Sequence, residues 1–551
     1  MRIFLERPFL FQVDSIDATQ VRKVTKKYGF PHLSLCFSML LWATQVRKVT
    51  KKYRFSHLSL HDRIKIFTFA TEKNDFVMDK NLFIGREYEI RQLEKYRSSK
   101  ESEFIIIYGR RRVGKTFLVK EFFDDIYDFK VTGLYKKPRK MQLKNFYLAL
   151  QEYGSTVKKV PEDWLEAFAE LKKLLKGIKE DRKKIVFIDE LPWLDTRQSE
   201  FLAAFEGFWN GWGAQQNDLM IIVCGSATTW ITNKILSDKG GLFNRAARRL
   251  YLMPFTLQET ERYLVSRGIH WSRYDIVECY MAMGGIPYYL KLLDNELSYI
   301  ANIDTIFFKR NGPLWDEFNH LYGTLFGASK AYMKIIEALS AKKAGLTRKE
   351  IIRETKLEDN GLLTEMLKNL KDSLFVRSYN TFGYGEKNVV YQLADYFTLF
   401  YLRFIKGRQN PDEHFWTHFL DNPAKSNWAG QTFEQVCKDH IAQVKASIGI
   451  SALLTDISSW RGESESGKAQ IDLIIDRRDR TINICEIKFS VGEFTIDRDY
   501  EERLRNKMEV FREATKTKKA LQLVMITTYG VRHNAHSNIV QSQVLMDDLF
   551  A

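Results

Sequence analysis

Cysteine is scarce. The chain has five, Cys36, Cys224, Cys279, Cys437 and Cys485, and none forms a C-x-x-C pair. That argues against a disulfide framework or a zinc site and for reduced thiols in a cytoplasm. Long apolar runs are also missing. A membrane helix needs ~20 consecutive apolar residues, and the best stretch, Ser34 to Trp42, is far shorter. It lies too deep, behind too many charges, for a secretory signal. No membrane partner is therefore expected. A true repeat array is absent too. Thr19–Leu35 recurs as Thr44–Leu60 with two of seventeen positions changed. Two near-identical copies do not build a solenoid, which needs about three units; a recent duplication fits better.

The net charge of +16 is unevenly placed. Residues 1–77 hold 14 basic and 6 acidic side chains, half the excess in a seventh of the chain. The global charge is thus weak support for a nucleic-acid partner. Residues 1–77 are expected to be a doubtful upstream extension, with the folded protein opening at Met78. At 551 residues the chain is too long for one core.

What is present is sharper. Gly109-Arg110-Arg111-Arg112-Val113-Gly114-Lys115-Thr116 is a complete G-x-x-x-x-G-K-[ST] loop. Phe104–Tyr108 reads as a buried strand before it and Phe117–Phe123 as an amphipathic helix after it. That context makes the pattern a phosphate site. Loop amides and the positive helix end would cradle ATP. Lys115 would reach the β/γ-phosphates and Thr116 would hold Mg²⁺. Lys183–Glu190 is an apolar strand ending in two acids, a Walker B pattern. Asp189 would act on Mg²⁺, and Glu190 would polarise the attacking water. Leu219–Cys224 is a third strand, and Ser226 at its end is placed to sense the γ-phosphate.

With Phe83-Ile-Gly85-Arg86, Leu242-Phe-Asn-Arg245, Pro254-Phe255 and Gly284-Gly-Ile-Pro287, these motifs resemble the AAA+ superfamily. Within it they resemble a group of prokaryotic, archaeal-type ATPases. The resemblance implies an α/β fold, a doubly wound parallel sheet with a helical lid. Gly85 and Arg86 would lie near the adenine, and Pro287 would bring the lid against the base. Arg245 would be a finger acting on nucleotide held by a neighbouring subunit of a homo-oligomer. Arg248 and Arg249 are alternatives for that role.

Leu257–Leu264 and Ser272–Met283 have helical spacing and would form the lid. Lys330–Leu339, a helix capped by Thr347 with Glu350 three residues on, and Leu362–Leu370 give three helices. Phe375–Tyr379 and Val389–Leu393 give a hairpin. Three helices and a hairpin spell a winged helix-turn-helix. Its presumed recognition helix, with Glu365, Lys368 and Lys371 but no arginine, is a thin base-reading surface. The aromatic stripe of Tyr391–Phe404 reads as core.

Further on, Gln470–Asp476 and Thr481–Phe489 form two strands joined by Arg477–Arg480. They bring Asp472 near Glu486, and period two sets Glu486 and Lys488 on one face. Two carboxylates and a lysine at a strand end suit Mg²⁺ and a hydrolytic water. With Glu434 on an upstream helix, these residues resemble the PD-(D/E)xK nucleases. That resemblance makes Glu434, Asp472 and Glu486 metal ligands and Asp472, Glu486 and Lys488 catalytic. The expected layout is 78–255 nucleotide core, 256–325 lid, 326–405 winged helix and 406–551 restriction-endonuclease-like domain. The expected function is an ATP- and Mg²⁺-dependent ATPase acting on DNA through the last domain. The alternatives are a nucleotide switch or scaffold whose nuclease-like module only binds, and a defence or toxin effector nuclease.

Overall fold

The computed structural model describes residues 84–551, apart from 227, 237–246, 327–329, 384–388 and 409–411. The expectations placed on residues 1–77, on Phe83 and on Arg245 lie outside the described residues.

Five apolar runs form one parallel sheet. They are β1 (Glu103–Gly109), β2 (Phe129–Thr132), β3 (Lys184–Asp189), β4 (Leu219–Gly225) and β5 (Ala247–Leu252), in the spatial order β2-β3-β4-β1-β5. Almost every residue of β1, β3 and β4 is buried. Strands covered on both faces read as continuous Ile/Val/Phe runs, which is why their positions were legible. Helix Trp164–Gly177 starts where Asp163 accepts the Glu166 amide. It buries Trp164, Phe168 and Leu171 on one stripe. That stripe meets Phe201, Phe205 and Phe208 of helix Phe201–Gly211. Trp209 and Trp212 close the same core rather than forming a stacking platform.

After β5 the chain is helical. Helix Leu257–Ser266 has a full capping box, Thr256 with Glu259. Helix Arg273–Met283 is buried from Ile276 onward. The Tyr280 hydroxyl donates to Phe255 O at 2.9 Å, tying this helix to the core. Gly285 is forced by close approach: a Cβ there would stand 2.0 Å from Phe255 O, and its own carbonyl accepts the Phe255 amide at 2.6 Å.

The next module has helices Lys330–Ser340, Arg348–Thr355 and Gly361–Asp372. Thr347 and Glu350 make the expected capping box. A small antiparallel sheet follows, β6 (Leu346–Thr347), β7 (Val376–Asn380) and β8 (Val389–Leu393), ordered β6-β8-β7. Helix Tyr396–Phe404 then buries Phe397, Phe400 and Phe404, so its aromatic stripe is core.

The C-terminal sheet runs β13-β12-β11-β10-β9. Its strands are β9 (Thr455–Ser464), β10 (Gly467–Arg477), β11 (Thr481–Lys488), β12 (Ala520–Thr527) and β13 (Ser542–Leu545). β9, β10 and β11 pair antiparallel, and β11, β12 and β13 pair parallel. Helix Arg498–Thr515 covers the face carrying Trp460, Ile474 and Ile484. Among the described residues no helix is long and apolar enough to cross a membrane.

Candidate functional site

The loop between β1 and helix Lys115–Phe122 has the backbone that its glycines require. Gly109 sits at φ 147° and Gly114 at φ 92°. A Cβ on Gly109 would meet Leu252 O at 2.4 Å. Gly114 O accepts the Leu118 amide, so the amides of Lys115 and Thr116 lie ahead of the first intrahelical bond. They face the position a phosphate takes. Lys115 is buried and donates to Gly109 O at 3.1 Å and Arg110 O at 3.0 Å. Burial lowers its affinity for a proton, against the pull of Glu190.

The two acids at the end of β3 diverge usefully. Thr116 Oγ1 donates to Asp189 Oδ2 at 3.0 Å, so strand end and loop meet. A hydroxyl and a carboxylate at this spacing are hard oxygen donors that fit Mg²⁺. Burial and then Glu190 raise the Asp189 carboxyl above its ordinary value. Glu190 occupies the left-handed region at φ 47°, which turns its side chain away from Asp189 toward β4. There Glu190 Oε2 accepts from Ser226 Oγ at 3.0 Å and from the Ser226 amide at 3.1 Å. Lys115, Thr116, Asp189, Glu190 and Ser226 are thus brought together.

Arg86 donates to Val113 O at 3.1 Å and stacks on Phe255, bracing the loop from behind. Gly85 beside it has φ 67°. Gly284, Gly285 and Ile286 line a cavity of about 490 Å³ together with Phe255 and Arg110. Pro287 opens the short helix Pro287–Leu290 at the edge of that turn.

Two of the loop arginines pair with carboxylates of later elements. Arg110 is fully buried and pairs with Asp395 at 2.5 Å. Burial opposes its charge most strongly, but Asp395 together with Tyr289 and Tyr322 holds the guanidinium above its ordinary value. Arg112, at φ 72°, pairs with Glu317 at 2.7 Å and lies over the Tyr288 ring. Glu317 also accepts the Tyr289 hydroxyl at 2.8 Å. Arg111 is partly buried, with a guanidinium nitrogen that finds no hydrogen-bond partner among the described residues. Replacing Arg110 by alanine would leave Asp395 buried without a cation. The expected cost is about 3 kcal/mol, read as a lower denaturant midpoint. An unchanged midpoint would show the pair to be energetically idle.

The presumed recognition helix, Gly361–Asp372, has its far end on the nucleotide core. Lys368 bonds Asn233, and the Tyr251 hydroxyl donates to Asp372 O at 3.1 Å. Arg248 pairs with Glu103 at 3.0 Å, a bond internal to the sheet.

The C-terminal residues group in two pairs rather than one ring. Leu473 stands opposite Cys485, which puts Asp472 and Glu486 near each other across β10 and β11. Glu434 and Asp472 both face Lys343, which contacts Glu434 and lies 4.0 Å from Asp472. Burial and then Asp472 push Glu434 up to about 7, against the pull of Lys343. Glu486 bonds the Tyr500 hydroxyl at 2.6 Å, Lys507 at 2.6 Å and Lys488 at 3.1 Å. Burial would raise Glu486, but Lys507 and Lys488 outweigh it and hold the carboxyl down at about 2. In this arrangement lysines face the carboxylates. Among the described residues no group of three or more His, Cys, Asp or Glu side chains is disposed to hold a metal ion. The expected Mg²⁺ set of Glu434, Asp472 and Glu486 is therefore not assembled as the side chains stand. Lys343, Asp395, Glu317 and Tyr500 escaped the sequence reading. Their roles arise from partners distant along the chain, and no local pattern marks them.

Residues 83–293 match an ATPase domain found predominantly in Archaea. The chain thus carries an archaeal-type ATPase domain. An uncharacterised protein of Methanocaldococcus jannaschii is 27% identical over 417 residues, covering 74% of this chain and 88% of that protein. An uncharacterised ATP-binding protein of the same organism is 43% identical over 44 residues, 8% of this chain and 75% of that protein. Among solved structures, the Walker-type ATPase of Pyrococcus abyssi aligns with a TM-score of 0.41 at 20% identity, covering 59% of this chain and 97% of that one. The ORC2 protein of Aeropyrum pernix, in ADPNP and ADP complexes, aligns with a TM-score of 0.38 at 14% identity, covering 58% and 93%.

Proposed function

We propose that the chain is a Mg²⁺-dependent AAA+ ATPase whose nucleotide state governs a nuclease-like C-terminal domain acting on DNA. The observation that carries the ATPase half is the convergence of Lys115, Thr116, Asp189, Glu190 and Ser226 at the strand ends of one sheet. Mg²⁺, held by Thr116 and Asp189 with the phosphates, would neutralise charge on the transferring group. Lys115 neutralises the phosphates from the loop side. Glu190 takes the proton of the attacking water, and Ser226 holds the Glu190 carboxylate until then. Residues 326–405 act as a winged helix joining the lid to residues 406–551. Supporting the DNA half is the nearness of Glu434, Asp472, Glu486 and Lys488 around β10 and β11.

A second reading has an observation of its own. With Lys343 on Glu434 and Lys507 on Glu486, the C-terminal domain as it stands suits a binding module that does not cut. One assay separates the two. Purified protein is incubated with plasmid and oligonucleotides, Mg²⁺ or Mn²⁺, with and without ATP. The nuclease reading expects cutting that disappears in Asp472→Ala while ATP turnover stays unchanged. Intact ATPase activity with no cutting of any substrate favours the switch.

A further inference from the structure

The turn Lys342–Gly345 projects from the middle module into the acidic end of the C-terminal domain. Lys343 Nζ contacts Glu434 Oε1 and stands 4.0 Å from Asp472 Oδ2. Glu434 comes from helix Pro423–Asp439 and Asp472 from β10, so the lysine is a guest from another module.

The turn is built to present that side chain. Gln392 Nε2 donates to Lys343 O at 2.7 Å, and the Tyr379 hydroxyl donates to Ala344 O at 2.7 Å. The Gly345 amide donates to Lys342 O at 2.9 Å. Gly345 has φ 77°, and a Cβ there would stand 2.6 Å from Tyr391 O. The turn therefore demands glycine on two counts. Contacts on either side clamp the module in place. Arg377 pairs with Asp439 at 3.0 Å. The Phe382 amide donates to Ser459 O at 3.0 Å, and its ring lies 5.1 Å from that of Phe511. A cavity of about 210 Å³ opens beside the lysine, with Lys438, Arg461, Gln470 and Asp472 on its walls. The Lys343 side chain keeps 35% of its surface exposed, so it sits at the mouth of this cavity, not sealed in the core.

Two carboxylates held close repel unless a cation lies between them. A divalent ion with oxygen ligands would serve; here an ammonium does. We propose that Lys343 is a tethered internal cation that keeps the Glu434–Asp472 site shut, and that displacement of the middle module frees the pair for a divalent metal ion. This rests on the nuclease-like reading of the C-terminal domain. The module that carries the lysine also leads into Asp395, the partner of Arg110, so the phosphate loop has a direct handle on it.

The test uses the full chain without nucleotide, titrated with Mn²⁺ by calorimetry. Wild type, Lys343→Met and Lys343→Met/Asp472→Asn are compared, so that binding at Thr116 and Asp189 cancels. Lys343→Met should bind one Mn²⁺ on the order of 10-fold more tightly than wild type, and the double variant should lose that gain. No gain in a Lys343→Met protein with an unchanged melting temperature overturns the proposal. Zero-length carbodiimide cross-linking of wild type gives a check that needs no variant. A Lys343–Glu434 or Lys343–Asp472 cross-linked peptide is expected by mass spectrometry, and its absence counts against the plug. Tight Mn²⁺ binding by Lys343→Met without cutting keeps the plug and removes the nuclease reading. Equal cutting by wild type and Lys343→Met removes the plug and keeps the nuclease.

Discussion

Lys115→Ala is expected to lower the rate constant for ATP hydrolysis by a factor of about 100 to 1,000. The ammonium is buried and, among the described residues, donates to Gly109 O and Arg110 O, two carbonyls of the loop it serves. These are neutral partners, so the charge is free to move to phosphate oxygens without breaking an ion pair. Its hydrogen bonds to the loop also keep the side chain oriented for that move. Alanine removes both the charge and the orientation. Phosphate-release kinetics and binding of a fluorescent ATP analogue check the result. Full turnover in this variant would mean that the phosphate site lies elsewhere.

Glu190→Gln should have a comparable effect on rate, about 100- to 10,000-fold, with a different signature. Glutamine preserves the shape of the side chain and can accept from Ser226, but it cannot take a proton from water. ATP binding should remain and turnover should stop. Ser226→Ala should slow turnover far less, because it removes one hydrogen bond to Oε2 and leaves the backbone amide in place. Loss of nucleotide binding in Glu190→Gln would instead assign the residue a structural role. Measuring affinity and turnover on the same preparation distinguishes these outcomes.

The residues that were legible in the sequence share one property: their meaning is local. The phosphate loop announces itself through a buried strand, two glycines and a helix, all within one stretch of chain. The Asp189–Glu190 pair is read from the strand that carries it. The Thr347–Glu350 capping box is three residues wide and formed as expected. The hairpin of β10 and β11 follows from alternation and its polar turn. The illegible residues have meanings set by packing between modules. Arg110 looks like a phosphate-facing arginine, yet its partner is Asp395 and its surroundings are Phe375 and Tyr289. Lys343 lies 91 positions from Glu434 and carries no motif. Lys368 reads as a DNA-facing cation until the core supplies Asn233. The C-terminal acids were placed near each other correctly, but which cation each would hold depended on Lys343 and Lys507, whose positions no period reveals.

The seam between the middle module and the C-terminal sheet has one more consequence. β9 is the outermost strand on its side of that sheet, and it is covered at Ser459 by the bridge to Thr381 and the bond from Phe382. An outer strand with free amides and carbonyls invites another chain to pair with it. Lifting the middle module would therefore free the β9 edge around Ser459 at the same moment as it uncovers the acids. Opening would make the protein adhesive as well as reactive, and a second strand, from a partner or another copy, could hold it open by occupying that edge.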